Sequence, residues 1–169
     1  MRVAPIAQEL YEASKGGNTE EAKRLIEIKA PVDWQIPDGD DEGETALWVA
    51  SWNGNTDTAR LLIASRANLD LPRKTGSTPL WIASQEGKTD TARLLIESKA
   101  AVDKAEENGA TPLYVASGQG KTDTARLLIE SKAAVDKAAN NGATPLLIAS
   151  VKGKMDTARL LIESKAAVD

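Results

Sequence analysis

The side chains with the clearest potential for chemistry lie in one acidic segment, residues 34–44. It holds five carboxylates within seven residues: Asp38, Asp40, Asp41, Glu42 and Glu44. Alternating carboxylates followed by a glycine are typical of calcium-binding loops, in which the twelfth position supplies a bidentate glutamate. Counted from Asp38, the twelfth position is Val49, so the spacing predicts no metal site.

Other catalytic groups are scarce. Histidine and cysteine are absent from the 169 residues, and these are the most frequent general bases, nucleophiles and soft-metal ligands. We therefore expect neither an enzyme nor a bound cofactor. The segments 87–89 and 120–122 read Gly-Lys-Thr, like the end of a phosphate-binding loop, but that motif needs a glycine five positions before the second one. Ile82 and Val115 stand there, so nucleotide binding is not predicted.

The charge distribution argues against nucleic acid and favours a protein partner. Residues 1–44 carry five basic and eleven acidic side chains, whereas residues 45–169 carry 16 basic and 14 acidic ones. Nucleic acid binding needs several cations that neutralise phosphates, so a basic protein fits the acidic end better. No apolar run is long enough to predict a secretory signal or membrane insertion. Without cysteine, an intracellular protein, cytoplasmic by default, is expected.

These side chains must be positioned by a tandem repeat with a period of 33 residues. Thr-Pro-Leu occurs at 78–80, 111–113 and 144–146, and Thr-Ala-Leu at 45–47. Val-Asp recurs at 102–103, 135–136 and 168–169. Self-similarity at this length predicts a stacked repeat protein, in which each unit buries its apolar face against its neighbours.

Within residues 104–136 the sequence predicts a turn followed by two helices. An Asn-Gly pair favours the turn. Thr111 suits the N-cap of the first helix and Pro112 its first residue. Gly120 ends that helix, and Thr122 is a candidate N-cap for the second, in which apolar residues recur at helical spacing.

This order of turn, helix, glycine loop and second helix resembles the ankyrin-repeat family over essentially the whole chain. The matching words are Gly-x-Thr-Pro-Leu (76–80, 109–113, 142–146), the paired leucines (61–62, 94–95, 127–128, 160–161) and Ala-x-Val-Asp. The resemblance implies one all-α domain over residues 1–169, a solenoid of stacked antiparallel helix pairs with projecting turns. About five units are predicted, at 5–33 (degenerate), 34–70 (with a four-residue insertion), 71–103, 104–136 and 137–169.

Two departures from the family pattern change the expected energetics. Where the family commonly has glycine after the second helix, this chain has Lys29, Arg66, Lys99, Lys132 and Lys165. A left-handed backbone there costs about 1 kcal/mol relative to glycine, partly offset by a cation at the helix C-terminus. The family's usual histidine is replaced by Trp48, Trp81, Tyr114 and Leu147. We expect this change to remove an inter-repeat hydrogen bond and add apolar bulk.

The resemblance implies a non-enzymatic protein–protein interaction module that binds its partner on a concave surface of turns and first helices. Residues 104–136 and 137–169 differ at seven positions, six of them in the turn or first helix. Such near-copies are typical of recent tandem duplication or of an engineered array. The candidate contact residues are Trp34, Asp38, Asp40, Asp41, Glu42, Trp48, Trp52, Lys74, Trp81, Gln85, Glu107, Tyr114 and Gln119.

Three alternatives remain open at the level of the sequence. Trp48 and Trp81 could pack between helices, with the acidic segment merely solvated. The chain could instead be a structural subunit, because its fifth unit ends in interior-type leucines with no polar capping helix, so that a partner or further repeats would cover that end. A weaker alternative is single-stranded nucleic acid stacked on the tryptophans, which the local acidity disfavours. Monomer and subunit of a hetero-complex are both compatible with the pattern.

Overall fold

The computed structural model describes the backbone of residues 3–166 and the side chains of residues 5–164. Within these residues the regular structure is entirely helical. The ten helices are α1 (Val3–Lys15), α2 (Thr19–Glu27), α3 (Ala46–Asn53), α4 (Thr56–Ala64), α5 (Pro79–Glu86), α6 (Thr89–Glu97), α7 (Pro112–Gln119), α8 (Thr122–Glu130), α9 (Pro145–Val151) and α10 (Met155–Ala166). The last Val-Asp word, at 168–169, lies outside the described residues.

The helices form consecutive pairs that stack in chain order. Each odd-numbered helix, which we call a first helix, contacts the even-numbered second helix that follows it. First helices also pack on neighbouring first helices, and second helices on neighbouring second helices. The predicted all-α solenoid is therefore confirmed.

Threonine caps determine where the first helices begin. In α3, α5, α7 and α9 the side chain before the helix accepts a hydrogen bond from the backbone N–H three residues later. These caps are Thr45, Thr78, Thr111 and Thr144. Proline occupies the first turn of the last three of these helices, where its missing N–H costs nothing. The Thr-Pro motif thus marks the start of a first helix.

The core is a continuous column of leucine and alanine. First helices contribute the fully buried Leu10, Leu47, Leu80 and Leu113, and second helices Leu25, Leu62, Leu95, Leu128 and Leu161. All nine belong to one cluster that also contains buried alanines from both helices of each pair. Burying one such leucine contributes about 1.5–3 kcal/mol, while alanine lets the helices approach closely. Each unit supplies only part of this column, so it depends on its neighbours.

Left-handed cations follow four of the second helices. The φ angles are 70° at Lys29, 67° at Arg66, 79° at Lys99 and 69° at Lys132. After each of them an alanine N–H donates to the leucine carbonyl five residues earlier, which satisfies an otherwise unpaired helix carbonyl. Lys165 was expected to behave like these four, but α10 continues through Ala166. Its backbone is therefore helical.

Replacing Lys99 or Lys132 by glycine should stabilise the protein. Removing the left-handed penalty outweighs the lost cation and the greater freedom of glycine in the unfolded chain, so we expect a gain of up to about 1 kcal/mol at each site. Urea unfolding monitored by circular dichroism measures the free energy of unfolding. Ser131→Gly is the matched control, because Ser131 has φ −85° and gains nothing from glycine. Lower stability in Lys132→Gly would contradict the strain argument.

Candidate partner-binding surface

Backbone hydrogen bonds join the turns that precede successive first helices. They run from the N–H of Lys74 to the carbonyl of Glu42 (3.3 Å), from Glu107 to Thr75 (3.1 Å) and from Asn140 to Asn108 (2.9 Å). Gly43, Gly76 and Gly109 permit this approach, because a Cβ on each would lie 2.7–2.9 Å from the next turn's backbone nitrogen. The turn tips therefore form one row along the stack.

The aspartates that close the units bind the unit that follows. Their carboxylates accept backbone N–H groups as follows: Asp33 from Asn68 (2.8 Å), Asp70 from Ala101 (3.0 Å) and Asp103 from Ala134 (3.1 Å). The Lys104 and Lys137 ammonium groups donate to the carbonyls of Asp70 and Asp103. The recurring Val-Asp word is thus a joint between neighbours.

A second set of joints overturns the role predicted for Thr122. The N-cap of α8 is Lys121, and no side-chain cap bond is present there. The Thr122 hydroxyl instead bonds to the Thr157 hydroxyl at 2.7 Å. The same pairing, at 2.7–2.8 Å, links Thr19 to Thr58, Thr56 to Thr91 and Thr89 to Thr124. The N-cap prediction was wrong because this hydroxyl is used between units.

Trp48 and Trp81 lie inside the stack, with exposed fractions of 2% and 7%. The Trp48 indole N–H donates to Ser77 Oγ at 3.2 Å, and that of Trp81 to the Ala110 carbonyl at 2.9 Å. The expected loss of inter-repeat hydrogen bonding is therefore wrong at these two positions. Neither side chain has the exposure that a partner contact requires, so we correct their assignment as contact residues and leave them out of the surface.

Glu44 occupies the centre of a buried polar network that fixes the acidic segment. It is 1% exposed. The Tyr11 hydroxyl donates to Glu44 Oε2 at 2.7 Å, and Arg73 Nη1 lies 3.2 Å from Oε1. Arg73 also donates to the Asp40 carbonyl at 2.8 Å, and its guanidinium lies 5.1 Å from the ring centroid of Trp48. The segment is therefore tied both to α1 and to the next turn.

Burial sets the protonation behaviour of this network. Desolvation raises the pKa of the Glu44 carboxyl above its ordinary value, although the Tyr11 hydrogen bond and the Arg73 charge act in the opposite direction. Desolvation and the bond to Glu44 raise the pKa of Tyr11 strongly, so its hydroxyl remains a donor. The sequence did not predict that Tyr11, Glu44 and Arg73 form one network. The available signal was register, since Glu44 replaces the small Ser77 and Ala110 of later units.

The remaining carboxylates of the acidic segment divide into paired and unpaired ones. Glu42 pairs with the Lys74 ammonium at 2.6 Å. Asp38, Asp40 and Asp41 are exposed, and their carboxylates make no hydrogen bond or ion pair within the described part of the chain. Trp34 is half-buried against the cluster that contains Trp48. Three negative charges thus face solvent on a well-fixed turn.

The first helices add side chains below the tips. Trp52 is 39% exposed, and its ring lies edge-to-face with Trp48 at a centroid distance of 5.7 Å. Gln85 and Tyr114 are half-buried, and Gln119 is exposed. We define the tip-and-helix surface as the tips at 38–42, 74–76 and 106–109 with Trp52, Gln85, Tyr114 and Gln119. Of the predicted contact residues it includes Asp38, Asp40, Asp41, Glu42, Lys74 and Glu107, and it omits Trp34, Trp48 and Trp81.

The described residues contain no cluster of three or more His, Cys, Asp or Glu side chains that could hold a metal ion. One cleft, between the turns of the third and fourth pairs, has a volume of about 340 Å³ and is lined by Gly87, Thr89 and residues 120–124. Three of its lining residues, Thr89, Thr122 and Thr124, belong to the threonine pairs described above. In the same part of the chain, no helix combines the length and hydropathy that spanning a membrane requires.

A family model for ankyrin repeats matches three overlapping stretches, residues 10–106, 64–138 and 98–169. These three stretches do not correspond one to one with the five units predicted from the sequence. No curated protein matches the chain.

Glu44→Gln should change how stability depends on pH. The raised pKa means that the native state binds more protons than the unfolded state, so the wild type loses stability as the pH rises from 4.5 through the raised value. Glutamine retains an acceptor for Tyr11 but does not titrate. We expect the free energy of unfolding of the wild type, relative to Glu44→Gln, to fall as the pH rises above about 4.5 and to become constant once Glu44 is ionised in both states.

Urea unfolding followed by tryptophan fluorescence at several pH values measures this difference. Tyr11→Phe is the companion variant, because it removes a bond that lowers the Glu44 pKa. The decline of Tyr11→Phe, measured against Tyr11→Phe/Glu44→Gln, should therefore extend to higher pH than the decline of the wild type measured against Glu44→Gln. A difference that is constant or rises with pH would contradict the assignment of Glu44.

Proposed function

Because the chain belongs to the ankyrin-repeat family, we propose that it is a non-enzymatic module that binds a protein partner on its tip-and-helix surface. Ankyrin repeats generally act as protein–protein interaction modules, and the family is typically non-enzymatic. The choice of surface rests on which side chains the fold leaves available.

Structural joints occupy most of the recurring polar residues. The closing aspartates, the threonine pairs and the tip backbones are all committed to neighbouring units. Binding through these groups would compete with the contacts that hold the stack together. Among the tip side chains, Glu42 and Lys74 form an ion pair between units, whereas Asp38, Asp40 and Asp41 have no such role. At the exposed end of α3, Trp52 contacts Trp48 of its own helix.

Sequence variation follows the same division, and this contrast carries the proposal. At one register position on the first helices the successive residues are Trp52, Gln85, Gly118 and Val151. At one exposed position on the second helices every unit after the first has the same residue: Arg60, Arg93, Arg126 and Arg159. Sites that recognise a partner need side chains that differ along the surface, whereas a scaffold does not.

Affinity capture from a lysate, with captured proteins identified by mass spectrometry, tests the proposal. We expect Trp52→Ala combined with Gln119→Ala to lower the yield of a specific partner about tenfold or more, since truncating a central contact costs about 1–2 kcal/mol. The control is Arg93→Ala with Arg126→Ala, which removes two exposed side chains from the second helices. Capture that survives the first pair of changes, or is lost with the second, would contradict the assignment.

A structural subunit is the second candidate, favoured by the outward face of the last helix pair. Leu147, Val151, Met155 and Ile162 are each half or more exposed, whereas the preceding helix pair, α7 and α8, packs against α9 and α10. The hydroxyl ladder also stops there, since Met155 replaces the threonine that would extend it. Such an apolar patch is typical of a covered surface.

Val151→Glu separates the two candidates in the same capture experiment. A subunit covered at this face should lose its partner in Val151→Glu and keep it in Trp52→Ala. Ile28→Glu is the control, because Ile28 is half-exposed in the turn after α2. Retention in Val151→Glu would argue against the structural role.

A further inference from the structure

We propose that the N-terminal part of the tip-and-helix surface takes a basic, extended segment of the partner protein, with an arginine or lysine side chain seated on the Trp52 ring. This inference rests on the proposed function and specifies the chemistry of the partner. It concerns the exposed end of α3 and the tip at 38–42.

Of the two tryptophan rings on α3, Trp48 is covered by a cation of the protein and Trp52 is not. The Arg73 guanidinium lies 5.1 Å from the Trp48 ring centroid, a distance at which a cation is attracted to the negative face of an indole. Trp52 contacts Trp48 edge-to-face, and no cation of the described chain lies over its ring. Its exposed surface is therefore a site where a partner's cation could repeat the contact made by Arg73.

Charge complementarity identifies the sign of the partner. Two cations of the next turn are neutralised within the protein, since Arg73 pairs with Glu44 and Lys74 with Glu42. Asp38, Asp40 and Asp41 keep three uncompensated negative charges in solvent. Opposite charge on a partner would steer its approach and fix its register.

The tip is linked to the tryptophan pair by direct contacts. Arg73 donates to the Asp40 carbonyl and lies on Trp48, and Trp48 touches Trp52. A partner segment that reaches from the aspartates of the tip to Trp52 therefore lies on side chains that are already held in place by contacts within the protein. Such bracing lowers the entropic cost of binding.

The row of tips extends the same polarity along the stack. Glu107 is exposed on the third tip of the row, and the Gln85 amide on α5 donates to the Glu86 carboxylate at 2.9 Å. An extended chain that follows the row would meet further acceptors beyond Trp52. The surface thus favours a segment with several spaced cations over a single charged side chain.

The probe is a fluorescently labelled peptide that alternates Arg and Gly, and binding is measured by polarisation at low and moderate salt. The full-length wild type should bind it, with affinity falling as salt rises. A peptide with Glu in place of Arg should not bind. Trp52→Phe should weaken binding less than Trp52→Leu, which we expect to cost about fivefold, because leucine keeps apolar bulk without a π face.

The carboxylates are tested by Asp38→Asn, Asp40→Asn and Asp41→Asn together. We expect about a tenfold loss, the sum of three exposed charge contacts. The control, Glu97→Gln with Glu130→Gln and Glu163→Gln, changes net charge equally, at exposed positions of the second helices. An equal loss of peptide affinity in the two triple variants would show that only net charge matters and would overturn the proposal. Absence of Arg-Gly binding, or equal binding of the Glu peptide, would also overturn it.

Two further outcomes separate this inference from others. If calcium chloride saturates the acidic tip and the peptide does not bind, the site is a cation site and the proposal is wrong. If the peptide does not bind but partner capture still needs Trp52 and Gln119, the partner is not basic and only this inference fails. Partner capture that is unchanged by substitution of both residues would instead contradict the proposed function.

Discussion

The stack depends on a single constraint: the polar groups at each face of a unit are satisfied by the neighbouring unit. The closing Asp103 needs the N–H of Ala134, the Thr89 hydroxyl needs Thr124, and the Trp81 indole needs the Ala110 carbonyl. A unit separated from its neighbours would expose these groups together with its share of the leucine column. Water would satisfy the polar groups of a separated unit, but a neighbour in the wrong register would leave the buried Trp81 indole without an acceptor, at a cost of about 1–3 kcal/mol. Polar pairing and apolar burial therefore both require neighbours in the correct register. This explains why the joint residues recur with so little variation.

The same constraint determines where the chain is free to vary. Because the turn tips are joined mainly through backbone atoms, most of their side chains are not needed to hold the units together. The acidic insertion illustrates the separation. Glu44 and Glu42 form ion pairs, whereas the carboxylates of three aspartates in the same turn are exposed and pair with no other unit. Function can therefore change at the tips and first-helix ends without altering the joints.

The sequence predicted what is local or periodic. The 33-residue period led to the helix pairs, Thr111 and Pro112 to a helix start, and the cations after the second helices to left-handed residues. Contacts between units were harder to predict, because they join residues about one period apart and depend on side-chain direction. Thr122 looked like a cap although its hydroxyl reaches Thr157, and Trp48 looked like a contact residue although Ser77 and Arg73 cover it. Glu44 was counted only as one acid among five, because the local sequence does not indicate that it reaches Tyr11.

The reach of Glu44 has a consequence for cooperativity. In a simple linear array each module senses only its immediate neighbours, and melting can proceed from either end one module at a time. Glu44 belongs to the second module but grips Tyr11 in the first and Arg73 in the third. Each of these contacts joins adjacent modules, but a single carboxylate serves both interfaces of the second module. Displacing Glu44 therefore loosens two interfaces together, which makes the N-terminal modules more cooperative than an array whose interfaces melt independently.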